Sequence, residues 1–150
     1  MMKKKMIYCA ALAAVILLAA WMWWPRSLAN AFDAEQQLRV SVVASGIRDG
    51  QLFMDSDEQY TLEQGSAALA EVLEGYSYHP CWATLFGDGN MNLKGGTGET
   101  VNLYNARDQM LISGGTAQIT LDGRVYRVGY WGKSRGTALN RDILVALRQN

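Results

Sequence analysis

The sequence predicts an α+β protein: an antiparallel sheet of five to seven strands with two helices packed on one side, preceded by an N-terminal transmembrane helix. Three observations predict it. Residues 6–24 form a run without a charged side chain. Short segments of alternating apolar and polar residues are separated by turns too short for the crossovers that parallel strands need. Two other segments carry apolar residues at helical spacing. The predicted order is ββα-ββββ(β)-α.

The charge-free run at 6–24 is long enough to cross a membrane. As a helix it would measure about 28 Å, close to the thickness of the hydrocarbon core of a bilayer. Lysines at 3–5 precede it and only Arg26 follows it closely, so the positive-inside rule places the N-terminus in the cytoplasm and the domain outside. Three tryptophans fit an interfacial aromatic belt: Trp21, Trp23 and Trp24.

A cleavable signal peptide is the alternative for the same segment. Ala29, Asn30 and Ala31 match the small-x-small rule, which would release a secreted domain after Ala31. The apolar run is longer than that of a usual signal peptide, so we expect an uncleaved anchor. The predicted parts are a cytoplasmic tip at 1–5, a transmembrane helix or signal sequence at 6–24, a linker at 25–36 and an extracytoplasmic α+β domain at 37–150.

The domain is predicted to open with a β-hairpin. Residues 38–45 alternate between apolar and polar side chains, which indicates a half-buried strand with Arg39, Ser41 and Val43 on its outer face. The Asp-Gly pair at 49–50 suits a tight turn. Residues 51–54 then return as a short strand.

The next segment is predicted to be a turn followed by a helix. The acidic stretch 55–63 indicates a solvated turn, and it lacks the glycine and glutamate that a calcium loop needs. The apolar spacing favours a helix at 62–74. Thr61 and Gln64 fit a capping box, and Gly75 suits a left-handed residue at the helix end.

The second half of the domain is predicted to be rich in strands. Five further strands are expected at 81–86, 100–105, 109–113, 116–121 and 124–131. The turn between the last two is Asp122-Gly123, the strongest hairpin signal in the chain. Residues 94–99 belong to a glycine-rich loop. A closing helix at 138–149 would bury one face made of Leu139, Ile143, Ala146 and Leu147.

Four local patterns occur together in this order. They are the strand LRVSVVAS, the helix AALAEVLEGY, the hairpin ITLDGRVYRVG and a closing apolar helix, all behind a membrane or lipoprotein leader. They resemble a group of small extracytoplasmic domains of unknown function in Gram-positive bacteria. The resemblance covers most of 37–148 and implies the fold and the location. It implies no catalytic residue.

Charge and motif content argue against nucleic acid and nucleotide as partners. Residues 32–150 hold ten basic and fourteen acidic residues, a net charge of −4, which gives no positive field for a phosphate backbone. Gly132, Lys133 and Ser134 look like the end of a phosphate-binding loop. That loop needs a glycine at the position that Arg127 occupies.

The residues available for metal or thiol chemistry are few. His79 and Cys81 could form a nucleophilic pair, but the sequence shows no third group to orient it. One histidine and one cysteine within the domain are too few ligands for a zinc site. The other cysteine, Cys9, lies in the membrane segment, so we expect no disulfide. We predict no cofactor, no metal and no assigned catalytic residue.

Aromatic residues are the remaining candidates for a binding surface. In the last strand, Arg127 and Trp131 would share one face and Tyr126 and Tyr130 the other. Together with Trp82, these five form the predicted binding residues. The predicted function is a membrane-tethered module that binds an envelope protein or a wall glycan. Two alternatives stay open: an inhibitor or immunity-type protein released after Ala31, and an extracytoplasmic hydrolase with paired carboxylates.

Overall fold

The computed structural model describes residues 2–48, 51–91, 98–130 and 134–149. Within these ranges the chain is an α+β fold with four helices and one antiparallel sheet of eight strands. The helices are α1 Met2–Trp23, α2 Ala67–Glu74, α3 Trp82–Phe86 and α4 Ser134–Arg148. The strands are β1 Arg26–Ser27, β2 Leu38–Arg48, β3 Gln51–Leu62, β4 Ser77–Pro80, β5 Gly98–Tyr104, β6 Gln109–Ser113, β7 Gln118–Leu121 and β8 Arg124–Val128.

The sheet has the strand order β1-β4-β8-β7-β6-β5-β2-β3. The predicted α+β class with an antiparallel sheet is therefore confirmed, but the described strands exceed the five to seven expected. The difference comes from β1 and β4, which are short and carry no clear alternation. Both lie at the sheet edge that follows α1.

The core lies between the sheet and the pair α2 and α4. Apolar residues at helical spacing bury completely: Leu69, Leu73, Leu139 and Ile143. They share one cluster with strand residues such as Val101 and Ile112. Ala146 and Leu147 are buried as well, so the predicted apolar face of the closing helix is confirmed.

The hairpin predicted at Asp122-Gly123 is present. Asp122 has φ 48° and Gly123 has φ 75°, the two positive values of a type I′ turn. The first hairpin is present too, since β2 and β3 pair from Arg48 and Gln51 onward. Its predicted turn at 49–50 lies outside the described residues.

The acidic stretch 55–63 was predicted as a turn, and this is wrong for most of its length. Strand β3 runs to Leu62 and pairs with β2 except at a bulge at Asp57, with Leu38 opposite Leu62. Alternate residues at the start of β2 are buried in the core. Pairing with this anchored strand overrides the weak strand propensity of the acidic side chains in β3.

Helix α2 begins later than predicted. Its N-cap is Ser66, whose side chain accepts a hydrogen bond from the Leu69 N–H at 3.3 Å. The Thr61–Gln64 capping box is therefore wrong. Gly65 sits before the helix with φ +70°, in a tight turn against the backbone of Glu35. Gly75 has φ −72°, so the predicted left-handed helix end is also wrong.

Residues 26–36 differ from the predicted linker because they are packed into the domain. Strand β1 pairs with β4, placing Arg26 opposite Tyr78. The Leu28 N–H donates to the Tyr76 carbonyl at 3.1 Å. Three side chains of this segment are buried in the core: Leu28, Phe32 and Ala34.

The stretch 81–86 was predicted as a strand but forms the short helix α3. The Cys81 N–H donates to Thr84 Oγ1 at 2.8 Å, which closes a capping turn at the start of the helix. The Thr84 hydroxyl in turn donates to the Val125 carbonyl of β8. Local hydrogen bonds from a threonine therefore decide the conformation of an apolar stretch that suits either state.

Helix α1 is long and apolar enough to cross a membrane over Lys5–Trp23, and a signal sequence has the same character. Most of its described side chains are exposed. Its C-terminal end is the exception, because Met22 is buried against the domain.

Candidate functional site

Two of the predicted binding residues, Tyr126 and Arg127, lie on opposite sides of the sheet. Tyr126 packs toward the core, with its ring edge-to-face against Tyr78 at 5.1 Å. Arg127 pairs with His79 and lies on the opposite side, because successive strand residues alternate. Trp131 lies outside the described residues.

Tyr130 is separated from Tyr126 by the end of the strand. Strand β8 ends at Val128, and Gly129 has φ +69°, which turns the chain and breaks the two-residue alternation. Tyr130 therefore stacks on His79, with the ring centroids 4.9 Å apart and the planes 9° from parallel. The two tyrosines do not form a common surface.

His79 and Tyr130 instead hold the C-terminal end of α1. His79 Nδ1 lies 2.8 Å from the Pro80 carbonyl oxygen and 3.1 Å from that of Met22, and Nε2 lies 2.9 Å from that of Gly129. The Tyr130 hydroxyl donates to the Trp23 carbonyl at 2.7 Å. The last carbonyls of a helix have no partner within the helix. Side chains of the domain thus cap α1 and fix its end to the sheet.

A cleft beside this contact brings together three of the five predicted residues, Trp82, Arg127 and Tyr130. Its volume is about 310 Å³, and Trp23 and His79 also line it. Trp82 is 66% exposed and stacks on Phe86, at 5.8 Å between ring centroids. We call Trp82, Leu85 and Phe86 the α3 aromatic face. All three side chains are large, apolar and exposed.

A second surface, on the opposite edge of the sheet, was not predicted as a site. It is a polar groove of about 560 Å³ across β3, β2 and β5. The strand register places side chains in two cross-strand rows. One row is Thr61, Arg39 and Tyr104, and the other is Gln59, Ser41 and Asn102. The alternation of 38–45 predicts that Arg39 and Ser41 face outward. Their neighbours on β3 and β5 are known only from the strand register.

The polar groove carries one positive charge and no acidic lining residue. The Arg39 guanidinium is exposed and makes no hydrogen bond or ion pair with any residue that the structure describes. Tyr104 lies opposite it on β5 with an exposed ring. Asn102 Oδ1 is buried beside Ser41 and has no partner among the described residues. An exposed guanidinium next to an aromatic ring suits an anionic ligand with a planar or ring-shaped part.

Among the described carboxylates, Glu58 and Glu99 most resemble a catalytic pair, because both bind the same arginine. Arg148 Nη2 lies 3.1 Å from Glu58 Oε1 and 2.7 Å from Glu99 Oε1. Tyr60 also donates to Glu58. That hydrogen bond, followed by the one from Arg148, lowers the pKa of Glu58. A general acid needs a raised pKa, so this cluster has the character of an ion-pair bridge between α4 and the sheet. Within the described ranges, no group of three or more His, Cys, Asp or Glu side chains could hold a metal ion.

A hydrogen bond between Tyr76 and Asp142 predicts acid-sensitive stability. The Tyr76 hydroxyl donates to Asp142 at 2.6 Å and joins the end of α2 to α4. This bond lowers the pKa of Asp142, while burial and the same bond raise the pKa of Tyr76 to about 12. A carboxylate whose pKa is lowered in the folded state stabilises the fold at pH values above its unfolded pKa. This contribution is lost as the pH falls through the folded pKa.

Tyr76→Phe is therefore expected to cost about 1 kcal/mol at pH 7 and less at pH 3. Urea unfolding of the full chain in detergent micelles, followed by near-UV circular dichroism, measures both values. Asp142→Asn is the control, because it removes the titrating carboxylate and leaves the tyrosine hydroxyl in place. An equal cost of Tyr76→Phe at both pH values would contradict the assignment.

No family model matches this chain, and no match to it was found among the curated proteins or the solved structures. The resemblance to Gram-positive extracytoplasmic domains stays a prediction. The fold and its two surfaces define an α+β protein with an eight-stranded antiparallel sheet. An N-terminal apolar helix of membrane-spanning length is fixed to one edge of that sheet, and a polar groove lies near the other.

Proposed function

We propose that this protein is a membrane-anchored binding module whose domain lies outside the cytoplasm. In this proposal its polar groove binds an anionic group on a wall glycan or on an envelope protein. The observation that carries the proposal is the Arg39 guanidinium between Thr61 and Tyr104, in a groove without an acidic lining residue. Among the residues that the structure describes, this guanidinium has no hydrogen-bond or ion-pair partner. Helix α1 serves as the anchor, and the lysines at 3–5 favour a cytoplasmic N-terminus.

The packing of residues 26–34 supports an anchor that is not cleaved. Cleavage after Ala31 would remove β1 and the buried Leu28 from a finished core. It would also remove the carbonyls that His79 and Tyr130 bind. A protein released after Ala31 would lose all of these contacts. They weigh against the released inhibitor or immunity-type protein.

The composition of the polar groove supports binding of a polar ligand and offers no support for catalysis. Arg39 can bind a carboxylate through two parallel hydrogen bonds. Tyr104 offers a ring face for a sugar or a peptide side chain. Gln59, Thr61 and Asn105 add neutral donors and acceptors along the rim. Arg148 binds both carboxylates of the Glu58–Glu99 cluster, and this leaves the hydrolase alternative without a supporting pair among the described residues.

The test is a matched pair of arginine substitutions in the full chain. Arg39→Gln is expected to weaken binding roughly tenfold or more, because a charge-assisted hydrogen bond is lost. Arg124→Gln is the control, since Arg124 is also an exposed strand arginine but lies on β8, outside the groove. Binding is measured in micelles, first to purified wall glycan fragments and then to solubilised envelope proteins.

The two arms separate the two ligand sources. Retention by glycan fragments alone supports a wall ligand, and retention by envelope proteins alone supports a protein ligand. Equal binding by Arg39→Gln and Arg124→Gln would refute the groove as the binding site.

A further inference from the structure

The α3 aromatic face lies in a stretch that contains no acidic residue, lysine or arginine. Residues 75–87 hold His79 as their one titratable basic group. Trp82 is 66% exposed and Phe86 is 78% exposed, and Leu85 lies beside them. Large apolar side chains grouped in this way on a folded surface mark a contact with a partner or a membrane.

The exposure of these side chains is built into the fold. The Thr84 hydroxyl fastens α3 to the Val125 carbonyl of β8, and the Cys81 N–H caps the helix through the same hydroxyl. Trp82 and Phe86 are four residues apart, so they share one side of the helix and stack. The inner side of α3 is thus attached to the sheet, while its aromatic side is held outward.

The neighbour of the α3 aromatic face is the C-terminal end of α1. Trp23 and Trp82 line the same cleft, and the Tyr130 hydroxyl binds the Trp23 carbonyl at 2.7 Å. Trp23 and Trp24 are each 69% exposed. Arg26 follows them, with its guanidinium carbon 5.2 Å from the centre of the Trp21 ring. Tryptophan with a nearby arginine is typical of the depth at which a membrane helix leaves the bilayer.

We propose that the α3 aromatic face inserts into the outer interfacial layer of the membrane, beside the exit point of α1. This inference rests on the proposed anchor. The ligand is the lipid interface itself, since the face is continuous with the tryptophan belt of the helix. His79 and Tyr130 fix the end of α1, so the domain is docked on the bilayer and does not swing on a linker. Trp82 and Phe86 act as a second point of attachment.

The experiment places single tryptophans in the full chain, reconstituted in phosphatidylcholine vesicles. The first protein keeps only Trp82, with the other four tryptophans changed to phenylalanine. The second keeps only Trp23. A third, with all five replaced, carries Tyr104→Trp on the far part of the sheet. Each is measured in vesicles with plain acyl chains and with acyl chains brominated close to the headgroup. Circular dichroism confirms that each variant is folded.

Brominated lipid is expected to roughly halve the emission of Trp82 and of Trp23, and to leave that of Tyr104→Trp unchanged. Adding Phe86→Glu to the Trp82 protein should shift its emission to the red and reduce the quenching. Quenching of Trp23 without quenching of Trp82 overturns the docked arrangement and leaves the anchor standing. It would assign the α3 aromatic face to water or a protein partner. Absence of quenching at both positions overturns the anchor as well.

Discussion

Deletion of residues 1–31 is expected to lower the free energy of unfolding by about 4 kcal/mol relative to deletion of residues 1–24. The longer deletion reproduces cleavage after Ala31. It removes Leu28, whose side chain is completely buried, and losing a buried leucine costs about 3 kcal/mol. It also removes β1 and the hydrogen bond from Leu28 to Tyr76, adding about 1 kcal/mol. Urea unfolding of fragments 25–150 and 32–150 measures the difference.

A point substitution separates packing from chain length. Leu28→Ala in fragment 25–150 should reproduce most of the loss, because it empties the same site and leaves β1 in place. Fragments 25–150 and 32–150 of equal stability would show that the domain does not depend on the segment before Phe32. This result would support cleavage after Ala31 and release of the domain.

Gly65→Ala is expected to destabilise the domain by at least about 3 kcal/mol. Gly65 has φ +70°, which is unfavourable for any residue with a Cβ. A Cβ there would also lie 2.3 Å from the Glu35 carbonyl carbon, and neither backbone segment can move freely. The Ser66 N–H donates to the Ala34 carbonyl at 2.8 Å, which holds the two segments together. The free energy of unfolding in urea measures the loss.

Gly123→Ala is the matched control for this prediction. Gly123 has φ +75°, but a Cβ there would meet no atom within 4 Å. Its substitution tests backbone strain alone and should cost about 1 kcal/mol. Similar costs for the two alanine variants would show that the approach of Glu35 contributes nothing.

Local signals were sufficient where they were strong. The Asp122-Gly123 turn depends on two residues that tolerate positive φ, and it predicted the hairpin correctly. Helix α4 was predicted because its apolar residues repeat at helical spacing over several turns. Both features are determined by neighbouring residues, so one sequence is enough to find them.

Long-range pairing explains what the sequence did not reveal. Strand β1 contains two residues and is recognisable only through its partner β4. The polar groove combines residues from three strands, so Arg39 and Tyr104 become neighbours only when the register of β2 and β5 is known. Of the predicted binding residues, Trp82, Arg127 and Tyr130 do meet. They meet because β4 and α3 follow α1 at one edge of the sheet, which no local spacing indicates.

The strand order has a geometric consequence for access. Five strand intervals separate β4, which receives the end of α1, from β2, which carries Arg39. At the usual spacing of neighbouring strands, this is about 24 Å along the sheet. Because the sheet holds this distance fixed, Arg39 can bind only partners that lie about that far from the end of α1.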